Sequence, residues 1–100
     1  MRVIAIQMLR QFWEKHASAE QPLSEWYAKT ERAMWGSLPD IRKDDNSVDY
    51  VGNQRYVFNV GGNKYRIIAA IKFTPRLVYI RFVGTHQQYS KLTADQIKSL

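Results

Sequence analysis

The stretch from Tyr56 to Lys91, YVFNVGGNKYRIIAAIKFTPRLVYIRFVGTHQQYSK, leaves this chain few ways to fold. Its β-branched and aromatic runs are cut by two turn signals, Gly61-Gly62-Asn63 and Thr74-Pro75-Arg76, which predicts three strands, Tyr56–Val60, Lys64–Phe73 and Leu77–Thr85, joined by tight connections. The glycines suit the positive φ such a hairpin needs. In the second strand, period-two alternation sets Tyr65, Ile67, Ala69, Ile71 and Phe73 on a core face and Lys64, Arg66, Ile68 and Ala70 on the other. In the third strand the same alternation groups Leu77, Tyr79, Arg81, Val83 and Thr85, with Arg81 facing outward. A register symmetric about Pro75 then brings Lys64 and Arg66 near Val83 and Arg81. Like charges side by side cost free energy unless an anion sits between them, so this juxtaposition suggests a phosphate site.

Charge follows the same division. Beyond Tyr50 the chain carries Arg55, Lys64, Arg66, Lys72, Arg76, Arg81, Lys91 and Lys98 against the single acid Asp95, whereas the residues before it are nearly balanced. The formal net charge is +6, and the excess is confined to the strand-rich half, which points to a polyanionic partner and to a cationic sheet face presented to RNA. With 100 residues and 45% hydrophobic content, the composition predicts one folded domain over 1–100. There is no cysteine, which removes disulfides, thiolate chemistry and zinc knuckles and fits a reducing cytoplasm. The opening MRVIAIQML lacks a cleavage site and a membrane-length apolar run, so neither export nor anchoring is expected.

Upstream, Arg2–Ile6 predicts a short strand that joins the sheet. Leu9, Phe12, Trp13, His16 and Ala17 form one helical stripe; Leu23, Trp26, Tyr27, Thr30, Ala33 and Met34 form a second, with Pro22 in its first turn and Gly36 as its stop. Two such helices make an antiparallel hairpin that covers the back of the sheet. Residues 37–53 predict a loop with at most one short strand, because Pro39 disfavours helix at Leu38 and the aspartates favour turns. Thr93 and Gln96 form a capping box for a short terminal helix from Ala94 to Leu100.

The order of these pieces resembles a known family, the HigB-type toxins within the RelE superfamily of mRNA interferases. The resemblance rests on YVFNVGGNKYRIIAAIKF followed by VYIRFVGTHQQYSK: a strand, a Gly-Gly-Asn turn, a Lys-x-Arg strand and a closing Thr-His-x-x-Tyr. It implies an α+β, RelE-like fold, in which an N-terminal strand and two-helix hairpin pack on a twisted antiparallel sheet. It also implies cleavage of mRNA, in relatives usually on the translating ribosome. The implied partners are the mRNA, a cognate HigA-type antitoxin with a helix-turn-helix domain and, through the antitoxin complex, operator DNA. Relatives often carry an acid directly after the motif tyrosine, where this chain has Ser90, so an acid-assisted role at that position is not expected.

Metal-free RNA cleavage needs a base for the 2′-OH, positive charge for the phosphorane and an acid for the 5′-oxygen, with no cofactor. Arg66 and Arg81 are the candidates to hold the scissile phosphate, Lys64 adds charge, and His86 and Tyr89 are the candidate proton carriers. Arg55, Lys72, Arg76 and Lys91 are candidate contacts to flanking RNA. Each residue has a plainer alternative: a solvated hairpin face for Lys64 and Arg66, a turn residue for His86, a core-closing ring for Tyr89. Gly61-Gly62-Asn63-Lys64 lacks phosphate-loop spacing and is explained by a hairpin. His16 is expected at the core edge, the tryptophans in the core or lining an antitoxin groove, and Asp40, Asp44, Asp45 and Asp49 in an acidic turn rather than around a metal. A non-catalytic basic module that binds RNA or the ribosome is the alternative function; a subunit that docks an acidic protein is a second.

Overall fold

A central strand, Tyr65–Lys72, organises the structure, a computed structural model describing residues 1–100. Along the chain the elements are β1 (Arg2–Ile4), α1 (Gln7–Lys15), a 3₁₀ turn at Ala17–Ala19, α2 (Glu20–Arg32), α3 (Leu38–Asp44), β2 (Asp49–Gly52), β3 (Arg55–Val60), β4 (Tyr65–Lys72), β5 (Leu77–Thr85), α4 (His86–Ser90) and α5 (Ala94–Ser99). They build one five-stranded sheet in the order β1-β5-β4-β3-β2. The three long strands pair antiparallel as the hairpin signals require, while β1 returns parallel to β5 at the edge, making the sheet mixed rather than wholly antiparallel.

One face of the sheet carries the main core. Tyr56, Phe58 and Val60 of β3, Tyr65, Ile67, Ala69 and Ile71 of β4, and Val78 and Ile80 of β5 meet Leu9 of α1, Leu23 and Trp26 of α2, Trp35, and Ile41 of α3. Phe58 lies at the centre, edge-on to Trp26 at 5.3 Å between ring centroids and stacked on Trp35 at 6.0 Å. Both helical stripes predicted from periodicity face this core: Leu9, Leu23, Trp26, Thr30 and Ala33 are buried and Phe12, Trp13, His16 and Tyr27 half-buried, while Ala17 and Met34 are exposed. α2 stops at Arg32, where Ala33 turns to extended backbone, four residues before the Gly36 expected to end it.

The segment expected as a loop contains both a helix and an edge strand. α3 forms because Pro39 sits in its first turn, where a missing N–H costs nothing. Asp40 accepts the Gly36 N–H at 2.9 Å, Ile41 is fully buried, and Asp44 accepts the Trp35 indole N–H at 2.9 Å. Asp45 Oδ1 accepts from both the backbone N–H and the hydroxyl of Ser47, so Asp40, Asp44 and Asp45 serve this corner. No three His, Asp or Glu side chains gather as metal ligands do.

The opposite face is not the open cationic surface expected from alternation. Val57, Ile68 and Ile97 are buried there, with Val51, Phe82, Tyr89, Leu92 and Leu100 packed around them, so α4 and α5 cover much of this side. A register shift between Ile68 and Ala69 matters for what β5 presents: Ile68 pairs with Phe82 and Ala69 with Ile80, leaving Arg81 as the extra residue of a bulge. Val83 consequently turns to the main core and no longer shares a face with Arg81. No helix is long and apolar enough to cross a membrane.

Candidate functional site

The β3–β4 turn is the natural starting point, because Gly61, Gly62 and Asn63 all adopt positive φ (67°, 61° and 80°), as a tight connection of this composition allows. That geometry aims the turn's oxygens at Arg66. Its Nη1 donates to the main-chain oxygens of Asn63 and Tyr65, both at 3.1 Å, and its Nη2 donates to Asn63 Oδ1 at 2.6 Å. Arg66 is only 7% exposed, and its Cζ lies 5.7 Å from the centre of the Tyr89 ring. None of these partners carries a charge, so the guanidinium keeps its full positive charge in a partly desolvated place, and its Nε has no protein acceptor. One edge of the guanidinium is therefore fixed while its charge is left without a carboxylate partner.

Opposite Arg66 on β5 stands Gly84. A Cβ at that position would come within 2.5 Å of the Phe82 ring and 2.9 Å of Gln88 Oε1, so only glycine lets both side chains lie over the strand beside Arg66. The chain then turns directly into α4. Thr85 caps it by accepting the Gln88 N–H at 3.1 Å while Gln88 Oε1 accepts the Thr85 N–H at 2.8 Å. The ladder continues one step further, with the His86 N–H donating to the Lys64 main-chain oxygen at 2.9 Å.

This construction brings Lys64, Arg66, His86 and Tyr89 to one end of the sheet. His86 and Tyr89 are three residues apart on α4 and therefore neighbours on its surface; His86 is exposed and Tyr89 half-buried. Tyr89 both closes the small apolar cluster and lies under the Arg66 guanidinium, so the two alternatives weighed for it are not exclusive. Ser90 donates its hydroxyl to the His86 carbonyl at 2.9 Å, a contact within the helix that leaves the imidazole alone. Lys91 follows, exposed, at the end of α4.

The remaining sequence candidates lie elsewhere. Arg81, on the bulge, is about 10 Å along β5 from the residue opposite Arg66. It leans further away, its Cζ 5.4 Å from the Tyr79 ring centre, so the expected Arg66–Arg81 juxtaposition is not formed. Lys72 and Arg76 flank the β4–β5 turn, roughly 20 Å from the Arg66 end of β4. Arg55 is also at that far end and is engaged structurally: Nε and Nη2 donate to the Leu100 main-chain oxygen and Nη1 to that of Asn53.

Sequence reasoning passed over Asn63, Gly84 and Gln88, which shape the place Arg66 occupies. The Thr85…Gln88 spacing was a readable signal, being the same capping box recognised at Thr93…Gln96. His16, expected at the core edge, is half-buried there, stacked on Phe12, and lines an open groove of about 310 Å³ between α1 and α4, with Lys15, Val83 and Gln88 among its other walls.

An α+β domain with a cationic, aromatic-backed end to a mixed sheet is the class these observations define. The chain belongs to the HigB_toxin family, the RelE-like toxic component of a toxin-antitoxin system, whose pattern matches residues 19–92. It is also similar to the mRNA interferase toxin HigB of Escherichia coli (strain K12) and the mRNA interferase HigB of Shigella flexneri, each 48% identical over 42 residues. A further relative, the mRNA interferase HigB of Escherichia coli O6:H1, is 42% identical over 41 residues. The matched stretches span 42% or 41% of this chain and 40% of each relative.

Proposed function

We propose that this chain is an endoribonuclease that cleaves mRNA at the Arg66 end of its sheet, acting on the ribosome and silenced by a helix-turn-helix antitoxin. The observation that carries the reading is the Arg66 guanidinium, held by neutral turn oxygens and by Tyr89 with no carboxylate to neutralise it. A fixed, uncompensated charge next to exposed histidine and lysine side chains is what a phosphorane requires and what a purely structural arginine does not.

The reaction proposed is metal-free transesterification. A base removes the 2′-OH proton, the 2′-oxygen attacks the adjacent phosphorus, and the P–O5′ bond breaks as the departing 5′-oxygen takes up a proton. The products are a 2′,3′-cyclic phosphate and a 5′-hydroxyl. Arg66 and Lys64 stabilise the extra negative charge, and His86 and Tyr89 are assigned the proton transfers. Arg81, displaced by the bulge, takes a flanking phosphate rather than the scissile one; Lys91 extends the track beyond α4.

The test is to incubate purified protein with a defined mRNA, with and without translating ribosomes, and to determine both cut positions and end groups. Cuts that need ribosomes and leave 2′,3′-cyclic phosphate ends are expected. Folded protein that binds ribosomes or RNA yet leaves the mRNA intact in both conditions would replace the enzyme with a non-catalytic binding module.

A further inference from the structure

The groove between α1 and α4 is not used by the reaction above, yet it opens at the same end of the sheet. Its walls are Met8, Gln11, Phe12, Lys15, His16, Val83 and Gln88, and its volume is about 310 Å³. The Phe12 and His16 rings are stacked, with centroids 4.3 Å apart and planes 16° from parallel. Phe12 is braced edge-on by Tyr65 at 5.7 Å, and the Tyr65 hydroxyl pairs with Ser18 Oγ at 2.6 Å, so the aromatic wall is held rigidly from behind. Tyr65 in turn pairs with Thr85, the residue that caps α4.

The polar part of the lining has a direction. Gln88 Oε1 is occupied by the Thr85 N–H, which leaves the amide NH₂ as the part of that side chain free to bind a ligand, and Lys15 adds an exposed cation. An aromatic wall beside donors and a positive charge suits a ligand with a flat π-face, acceptor atoms and negative charge. A nucleotide of single-stranded RNA has all three. The groove lies on the α1 side of the sheet, with Val83 among its walls, and Gln88 on α4 sets it at the same end as Arg66, so a bound strand would pass around that end to reach both.

We propose that this groove is a nucleotide subsite in which a base flanking the scissile phosphate stacks on the His16–Phe12 pair, with Lys15 and Gln88 binding its phosphate or base edge. The proposal rests on the nuclease reading for the identity of the strand, and it assigns His16 a stacking role rather than proton transfer. His16→Phe should therefore preserve what His16→Ala removes.

Binding of uncleavable 2′-O-methyl hexamers of oligo(A) and oligo(U) to the full chain, followed by amide NMR, tests this. Shifts are expected at Lys15, His16 and Gln88 together with those from Arg66 to Tyr89. His16→Ala should weaken binding about tenfold and His16→Phe should stay within about twofold of wild type. Placing a single abasic residue in turn along the hexamer should find one position that weakens wild type about tenfold but adds nothing in His16→Ala. Lys15→Gln, which leaves the ring stack untouched, should lower the salt slope of binding by about 0.7. Absence of hexamer binding by wild type, unchanged affinity in His16→Ala, or abasic effects that add to that substitution at every position would overturn the subsite. Ribosomal cleavage by wild type alongside any of those results would leave the nuclease reading standing alone; groove binding by a chain that cuts no mRNA would do the reverse.

Discussion

The two faces of the sheet are built for different purposes. The face toward α1, α2 and α3 buries a continuous core around Phe58, whereas the face toward α4 and α5 buries only Val57, Ile68 and Ile97, with half-covered rings around them. The first face supplies most of the apolar burial that holds the fold together. The second is thin enough to leave Arg66, Tyr89 and His86 near the surface, yet closed enough to fix their backbone. Stability and candidate chemistry are thus separated by the thickness of a single strand, β4, whose residues from Tyr65 to Ile71 are all buried.

The sharpest way to break the contrast is through the main core. Phe58→Ala removes a fully buried ring wedged between two tryptophans and should cost about 3–5 kcal/mol, read as a lowered urea midpoint. Ile97→Ala acts on the thin face and should cost about 2 kcal/mol. Its signature should be local: faster amide exchange in α5 and around Tyr89, with β4 protection lowered only by the global loss. A uniform loss across both faces would mean that they are one cooperative core.

Smaller still, Thr85→Ala removes one half of the α4 capping box and should cost about 1 kcal/mol while fraying the turn that carries His86. The smallest effect belongs to pH. Burial, with the neighbouring Tyr50 adding to it, raises the Tyr56 hydroxyl above its ordinary 10.0. The unfolded chain therefore ionises first, and this group's contribution is intact below about pH 10 and lost as pH rises through the folded value. Tyr56→Phe should flatten that alkaline arm of the stability curve, measured by denaturant unfolding between pH 8 and 11.

Much of this was legible in the sequence because period-two and period-3.6 patterns are imposed directly by burial. The three long strands, the Gly-Gly-Asn turn, both helical stripes and the Thr93–Gln96 box follow from local chemistry. α3 did not, because Pro39 carries opposite meanings before a helix and within its first turn, and only the burial of Ile41 decides between them. The bulge at Arg81 left no local signature either: an extra residue changes the partner strand's register without changing composition. The covered second face was hidden because Val57, Ile68, Phe82 and Ile97 come from four separate elements and Leu92 from the linker before α5, and at the start of β4 stand Lys64 and Arg66, whose charge suggested solvent. At the candidate site, Lys64, Arg66, His86 and Tyr89 were proposed from residue type and order, and the fold brings them to one end of the sheet. Asn63, Gly84 and Gln88 were not, since their contribution is to shape and to hold rather than to bear charge.

The most direct measurement of the central claim is primer extension on a translated mRNA with wild type, Arg66→Ala and Arg66→Lys, each first shown by circular dichroism to be folded. The account predicts that Arg66→Ala loses about 10²–10³ in cleavage rate and that lysine fails to restore it, because a point charge cannot use the oxygens of the turn and Tyr89 as a guanidinium does. Wild-type cutting by folded Arg66→Ala would contradict it, and would make the buried guanidinium a brace for the β3–β4 turn and nothing more.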